Sequence, residues 1–261
     1  MESLPLPQHI KVINKGLNHD LVVIEPCWPG YGTTLANSLR RVLLSALPGA
    51  AVTSVKINSV NHEFSSLPGV KEDVIDIILN LKRLRLKIFS DVPVKISLKA
   101  SGEGQVTAKN IKATSDVEII NHDLHIATLT DKKAELDMEL TVANGRGYLP
   151  VEAREKEKME LGQIAMDAIF SPVVHVGFSV EDTRVGQVTN FDKVTMDVST
   201  DGSISPLEAV KQASQILVDH FNFIAQGQAP ATEAETEAEA ETSVDDKPAA
   251  KKRGRPKKEA A

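Results

Sequence analysis

The chain predicts an α+β protein, and two patterns carry that prediction. Apolar residues recur at every second position in at least seven short stretches, the period of half-buried strands. Three other stretches repeat them at the three-to-four spacing of helices. A third observation bounds the folded part: from residue 227 onward almost no large apolar side chain occurs, Val244 apart, so 227–261 is expected to be a disordered tail.

The alternation begins at "DLVVIEP" (20–26) and runs into a Pro/Gly turn. A helix is expected next, over 34–47, within "GTTLANSLRRVLLSALPGA". On a helical wheel Leu35, Leu39, Val42, Leu43, Ala46 and Leu47 span one arc, and Leu44 widens it beyond what one sheet covers. Arg40 sits on the edge of that arc, and Arg41 points to the middle of the polar face. Strand patterns follow at 49–60, 84–88, 94–99 and 135–142, separated by turns at 101–104 and 144–147. Between the first two lies a second helical pattern, 69–84, with Val70, Val74, Ile77, Ile78 and Leu81 on one face.

Strands are expected again at 172–182 and 192–202, the latter ending at the Asp201-Gly202 turn. The last helix has a well-marked start, with Ser205 and Glu208 at capping-box spacing and Pro206 in the first helical position. Val210, Ala213, Leu217, Phe221 and Ile224 form its stripe, Ile216, Val218 and Phe223 widen it, and Gly227 ends it. Two helices with surplus apolar surface imply another chain.

Composition narrows the class. The chain has 261 residues, 41% hydrophobic and 25% charged, with a net charge of −6. No apolar run reaches the ~18 residues of a membrane helix, and the N-terminus lacks a secretory pattern, so a soluble cytoplasmic protein is expected. The single cysteine, Cys27, excludes an internal disulfide.

No self-contained active site is visible. "GYGTTL" (30–35) could offer helix N-terminal amides to a phosphate, but the Gly-Lys-Ser/Thr end of a Walker loop and the third Rossmann glycine are missing. A tight turn needing a positive φ is the better account. "HDLH" (122–125) could bring two imidazoles together, yet the other histidines are scattered, and no metal site is expected. Asp73, Asp76 and Glu25 have no accompanying base or nucleophile pattern. Arg41 is either a solvated side chain or a planar clamp for a partner's carboxylate or carbonyl.

Four blocks carry a resemblance: "GYGTTLANSLRRVLLSALPGAAVTSVKI", "HEFSSLPGVKEDVIDIILNLK", "GRGYLP" and "FSPVVHVGFSVEDTRVGQVTNFDKVTMDVSTDGSISPLEAV". In this order they resemble the N-terminal part of the bacterial RNA polymerase alpha-subunit family, from about residue 10 to about residue 226. The resemblance implies a homodimeric, non-catalytic scaffold on which the two large subunits, beta and beta-prime, assemble, with no cofactor in this chain. It implies a dimerisation subdomain (1–49 plus 172–226) and a mostly-β subdomain (50–171) inserted in it. The dimer interface would be Leu35, Leu39, Leu43 and Leu47 with Val210, Leu217, Phe221 and Ile224. The beta subunit would be met by Arg41, Leu44 and Lys82, and by His62 and Glu63 of the "HEFSSLPGVKED" loop. Beta-prime is carried over only as a region, about 162–200.

The resemblance stops at the tail. Family members continue into a compact helical DNA-binding domain; here acidic residues 231–246 precede "KPAAKKRGRPKK" (247–258), which resembles an AT-hook. Arg253-Gly254-Arg255-Pro256 is narrow enough for both arginines to enter an A·T-rich minor groove. Two other function classes stay open at this point: a nucleotide-binding enzyme using 30–35, and an architectural DNA-binding protein working through its tail.

Overall fold

The computed structural model of the protein describes residues 4–154 and 160–227. In chain order it contains β1 (His9–Gly16), β2 (His19–Cys27), α1 (Tyr31–Ser45), β3 (Pro48–Ile57), α2 (Val74–Leu81), β4 (Leu86–Ile88), β5 (Val94–Ser101) and β6 (Gly104–Thr107). There follow β7 (Ile111–Lys112), β8 (Val117–Ile119), β9 (His125–Leu129), β10 (Glu135–Arg146), β11 (Tyr148–Leu149), β12 (Gln163–Ala165) and β13 (Ala168–Ile169). The last elements are β14 (Val173–Val185), β15 (Val188–Thr200) and α3 (Pro206–Gln226). Arg253, Gly254, Arg255 and Pro256 lie outside the described residues.

The fold is α+β. Residues through Val218 form one compact unit, and Asp219 onward forms a second, of which 219–227 are described. The first unit holds two apolar cores. One is built on the four-stranded antiparallel sheet β1-β2-β15-β14, whose Val22, Ile24, Val194, Met196 and Val198 pack with α1 and with the first half of α3. The other is built on the sheet β7-β5-β10-β3-β4-β8, with β12 also paired to β3 and with α2 packed in, and draws its residues from Val52 to Met166.

The two cores meet where the chain passes from one to the other and back. A side chain at Gly49 would begin 1.8 Å from the Phe170 carbonyl oxygen, and one at Gly145 would begin 2.5 Å from the Phe170 ring. Only hydrogen fits at either position, so the outgoing and returning strands touch backbone to backbone. Arg85 and Asp201 form a long ion pair, at 4.0 Å, across the same junction.

The structure differs from the sequence reading at several elements, the unread strand β1 among them. The helix read over 69–84 is confined to Val74–Leu81, because Gly69 has φ +76 and Val70 bridges to Leu129. The turn read at 144–147 is strand as far as Arg146, which pairs with Pro48, and the chain turns at Gly147. The α1 helix starts at Tyr31 and ends at Ser45, ahead of the 34–47 reading, with Leu47 beyond it yet 1% exposed. The α3 boundaries agree with the reading: Ser205 Oγ accepts the Glu208 N–H at 3.3 Å, and Gly227, at φ +60, follows the last turn.

Candidate functional site

The α1 helix is positioned from its N-terminus. Its cap residue, Gly30, has φ +78 and no side chain with which to cap. The cap comes instead from β15: the buried Asp192 carboxylate accepts the Gly32 N–H at 2.8 Å. Gly32 itself makes room for that carboxylate, since an added Cβ would stand 2.8 Å from it. The first-turn amide is therefore occupied by an anion belonging to the protein, which would repel a phosphate. This removes the nucleotide-binding reading of 30–35 and leaves the tight-turn account.

Beyond the first turn, α1 divides into two faces. Leu39, Leu43 and Leu47 are 7%, 0% and 1% exposed and are packed into the protomer's own core, as is Val210 of α3 at 6%. These four were expected at the dimer interface. Their surface is already used within one chain, because an apolar arc on a helix wheel does not distinguish its own sheet from a second chain. Leu35 and Leu217 are half-buried, and Phe221 and Ile224 are exposed. On the other side, Arg40, Arg41 and Leu44 are exposed, and neither arginine has an ion pair among the described residues. Ser38 and Ser45 return their hydroxyls to the carbonyls of Thr34 and Arg41, which keeps this face compact.

The C-terminal end of α1 abuts the segment that follows β10. The Ser45 carbonyl lies 3.4 Å from where a Gly147 side chain would begin, and Gly147 takes φ +65. The next residue, Tyr148, pairs across the small β11–β13 ladder with Ile169, and both are exposed. The Asp167 carboxylate accepts from Lys82 Nζ at 2.8 Å and from the Val151 N–H at 3.1 Å. Lys82, then Val151, and more weakly the Tyr148 hydroxyl, hold the Asp167 carboxyl below the usual carboxylate range against a smaller burial effect. The last turn of α1, which carries Arg41 and Leu44, thus meets one end of the 147–151 segment, and Lys82 meets the other through Asp167. Tyr148 and Ile169, which the sequence reading did not select, are exposed on this segment and its ladder partner. The one available signal was the aromatic residue in "GRGYLP".

His62 and Glu63 are placed elsewhere. His62 Nδ1 pairs with Ser65 Oγ at 3.0 Å, and Glu63 is exposed. Ser65 accepts from the N–H of Val74, the first residue of α2, whereas Lys82 caps the other end of that helix. One helix length, about 12 Å for eight residues, separates the two groups. The loop is pinned by Glu72, whose carboxylate accepts from the Thr128 N–H at 2.6 Å, from Thr128 Oγ1 at 2.9 Å and from His125 Nε2 at 3.0 Å. Burial pushes the Glu72 carboxyl up, but the bonds from His125 and Thr128 together outweigh it and leave the group below its ordinary value. His125 of "HDLH" is thereby engaged with a carboxylate. Among the described residues no group of three or more His, Cys, Asp and Glu is disposed to hold a metal. None of the described helices is long and apolar enough to cross a membrane.

The comparisons with known proteins agree with the resemblance. The family model described as the RNA polymerase Rpb3/RpoA insert domain matches residues 55–171. Over 211 residues the chain is 53% identical to the DNA-directed RNA polymerase subunit alpha of Alkaliphilus oremlandii, covering 81% of this chain and 66% of that one. The corresponding protein of Symbiobacterium thermophilum is 56% identical over 201 residues, covering 77% and 64%. The chain belongs to the RNA polymerase alpha-subunit family. It spans a little under two thirds of the length of these two relatives. The matched insert domain takes in most of the second core, which ends at Met166, together with Asp167, Tyr148 and Lys82. Arg41, Leu44 and Asp192 lie outside it, on the part of the family fold built around α1 and β15.

Proposed function

We propose that the chain is a non-catalytic scaffold subunit of a bacterial DNA-dependent RNA polymerase, working in the cytoplasm as a homodimer. The first sheet with α1 and α3 (1–49 plus 172–226) serves dimerisation, and the inserted core (50–171) serves the large subunits, beta and beta-prime. The observations that carry this reading are the exposed Arg41 and Leu44 of α1, whose C-terminal end meets Gly147, and the exposed Tyr148–Ile169 pair that follows, near the Lys82–Asp167 ion pair. An exposed guanidinium beside large apolar groups suits a partner segment that offers a carboxylate next to apolar side chains. The tail adds a second role, contact with A·T-rich upstream DNA through Arg253 and Arg255. Affinity purification of the full chain with mass spectrometry tests the main reading: two very large polypeptides should accompany it. Their absence from a folded, dimeric bait would refute it.

A further inference from the structure

The second sheet has two faces, and its core uses one. Leu140 and Val142 of β10 are buried in that core, so Thr141, which alternates with them, stands on the opposite side. Ser54 of β3 pairs with Thr141 in the ladder and shares that side. Together with residues of 148–154 and 163–170, they border a cavity of about 390 Å³, a size typical of small-molecule sites. Phe170 and Leu149 give it apolar walls, and Ser54, Thr141, Gln163 and Arg154 give it polar ones. A bulge helps to build it. Ser54 pairs with Thr141 but Val52 with Val142, which leaves Thr53 extra in β3, with its carbonyl accepting from Arg154 at 2.9 Å. Bulges of this kind recur beside binding and catalytic sites.

The polar side chains of the cavity present protons. The Gln163 amide oxygen accepts the Glu160 N–H at 3.2 Å, which fixes the orientation of the amide. Gln163 Nε2 then donates to both Ser54 Oγ and Thr141 Oγ1. Each hydroxyl oxygen is thus an acceptor in these bonds, and no described residue accepts the proton of either. Ser54 is 4% exposed, a depth at which an O–H without an acceptor is costly. Arg154 brings a guanidinium to the same cavity at 7% exposure, and the exposed Arg146 borders it too. Among the described residues that border the cavity there is no Asp or Glu. The Glu160 carboxylate is committed to Lys56 and Lys95.

We propose that this cavity binds a small organic carboxylate. Its two oxygens accept from the Ser54 and Thr141 hydroxyls, beside Arg154, and its flat apolar body lies against Phe170 and Leu149. Two hydroxyl donors match the two oxygens of a carboxylate. A phosphate would set a further oxygen and more charge against the apolar walls.

The test titrates the full-length protein with 4-fluorobenzoate and reads binding from the fluorine NMR line. A dissociation constant of about 1 mM is expected of a ligand this small. The uncharged 4-fluorobenzamide should bind about tenfold more weakly, and inorganic phosphate should not displace the benzoate at equal concentration. Thr141→Val keeps the side-chain shape and removes one donor, and Ser54→Ala removes the other. Each should weaken the benzoate by about tenfold while the protein still unfolds cooperatively in urea. No binding to the wild type at about 10 mM would overturn the site. Equal binding by both variants would overturn it as well, as would equal binding of the amide. Displacement by phosphate at equal concentration would overturn the carboxylate assignment.

Discussion

Replacing Asp192 removes the cap of a helix whose capped amide, Gly32, lies 160 residues earlier in the chain. The carboxylate is 7% exposed and accepts the Gly32 N–H at 2.8 Å. A charge-assisted bond of this kind contributes about 1.5–3 kcal/mol. The attraction between the carboxylate and the helix N-terminus is part of the same contact, so the two are not summed. Asp192→Ala should therefore cost about 2–3 kcal/mol, a large share of the ~5–15 kcal/mol that holds a typical domain folded. Asp192→Asn keeps an acceptor of the same shape and loses the charge, and about 1 kcal/mol is expected. Urea unfolding at one protein concentration, far above the dimer constant, measures both values without admixture of dissociation. Amide exchange adds a local readout: protection of the Gly32 N–H should fall in Asp192→Ala more than protection within β15. A loss under about 0.5 kcal/mol with unchanged Gly32 protection would refute the capping argument.

The other expectations concern the partner face, the pinned loop and the tail. Arg41→Ala should leave the dimer intact and weaken capture of the beta subunit by about 2–5 kcal/mol, with Arg41→Lys rescuing poorly for want of the planar fork; normal assembly of the Ala variant would remove Arg41 from the interface. Glu72 has a folded pKa below its ordinary 4.5, so its contribution is complete above pH 4.5 and is lost as pH falls through the depressed value. Protease nicking within 62–73 should rise over that acid range in the wild type, and Glu72→Gln should show the raised nicking already at neutral pH. Changing Arg253 and Arg255 together to Ala should lower affinity for A·T-rich duplexes and flatten the salt dependence, by about 0.9 in log–log slope for each DNA phosphate that is no longer neutralised; an unchanged slope and affinity would make the tail a solubilising segment.

What the sequence revealed was what repeats locally. Both long helices and most long strands follow from periodicity, and α3 was readable almost to the residue because Ser205, Pro206 and Gly227 mark its ends. The α2 helix was over-read because Val70 is apolar at the right spacing, while Gly69 and the ties of Lys71 and Glu72 to Thr128 hold 69–73 out of the helix. The β1 strand was missed for the opposite reason: exposed on both faces, it has little hydrophobic alternation to report. Long-range pairs were out of reach. Nothing near Gly32 announces Asp192, and nothing near Arg154, which is 7% exposed, announces that its guanidinium donates to the carbonyls of Thr53 and Met166. At the candidate site, Arg41, Leu44 and Lys82 came from the resemblance. Their connection through Tyr148 and Asp167 depends on a fold that brings residues 45, 82, 147 and 167 together.

The backbone contact between Gly49 and Phe170 bears on the order in which the chain folds. The first sheet is discontinuous in sequence, with Val22–Leu47 on one side and Val173 onward on the other. Bringing these halves together from an unstructured chain means closing a loop of roughly 120 residues, an entropic cost of about 4 kcal/mol before any contact is made. A folded insert has already closed it, because its two ends leave at touching positions. During synthesis the insert is also complete before β14 and β15 exist. The second core thus acts as a clasp: once formed, it holds the two halves of the first sheet at near-zero separation.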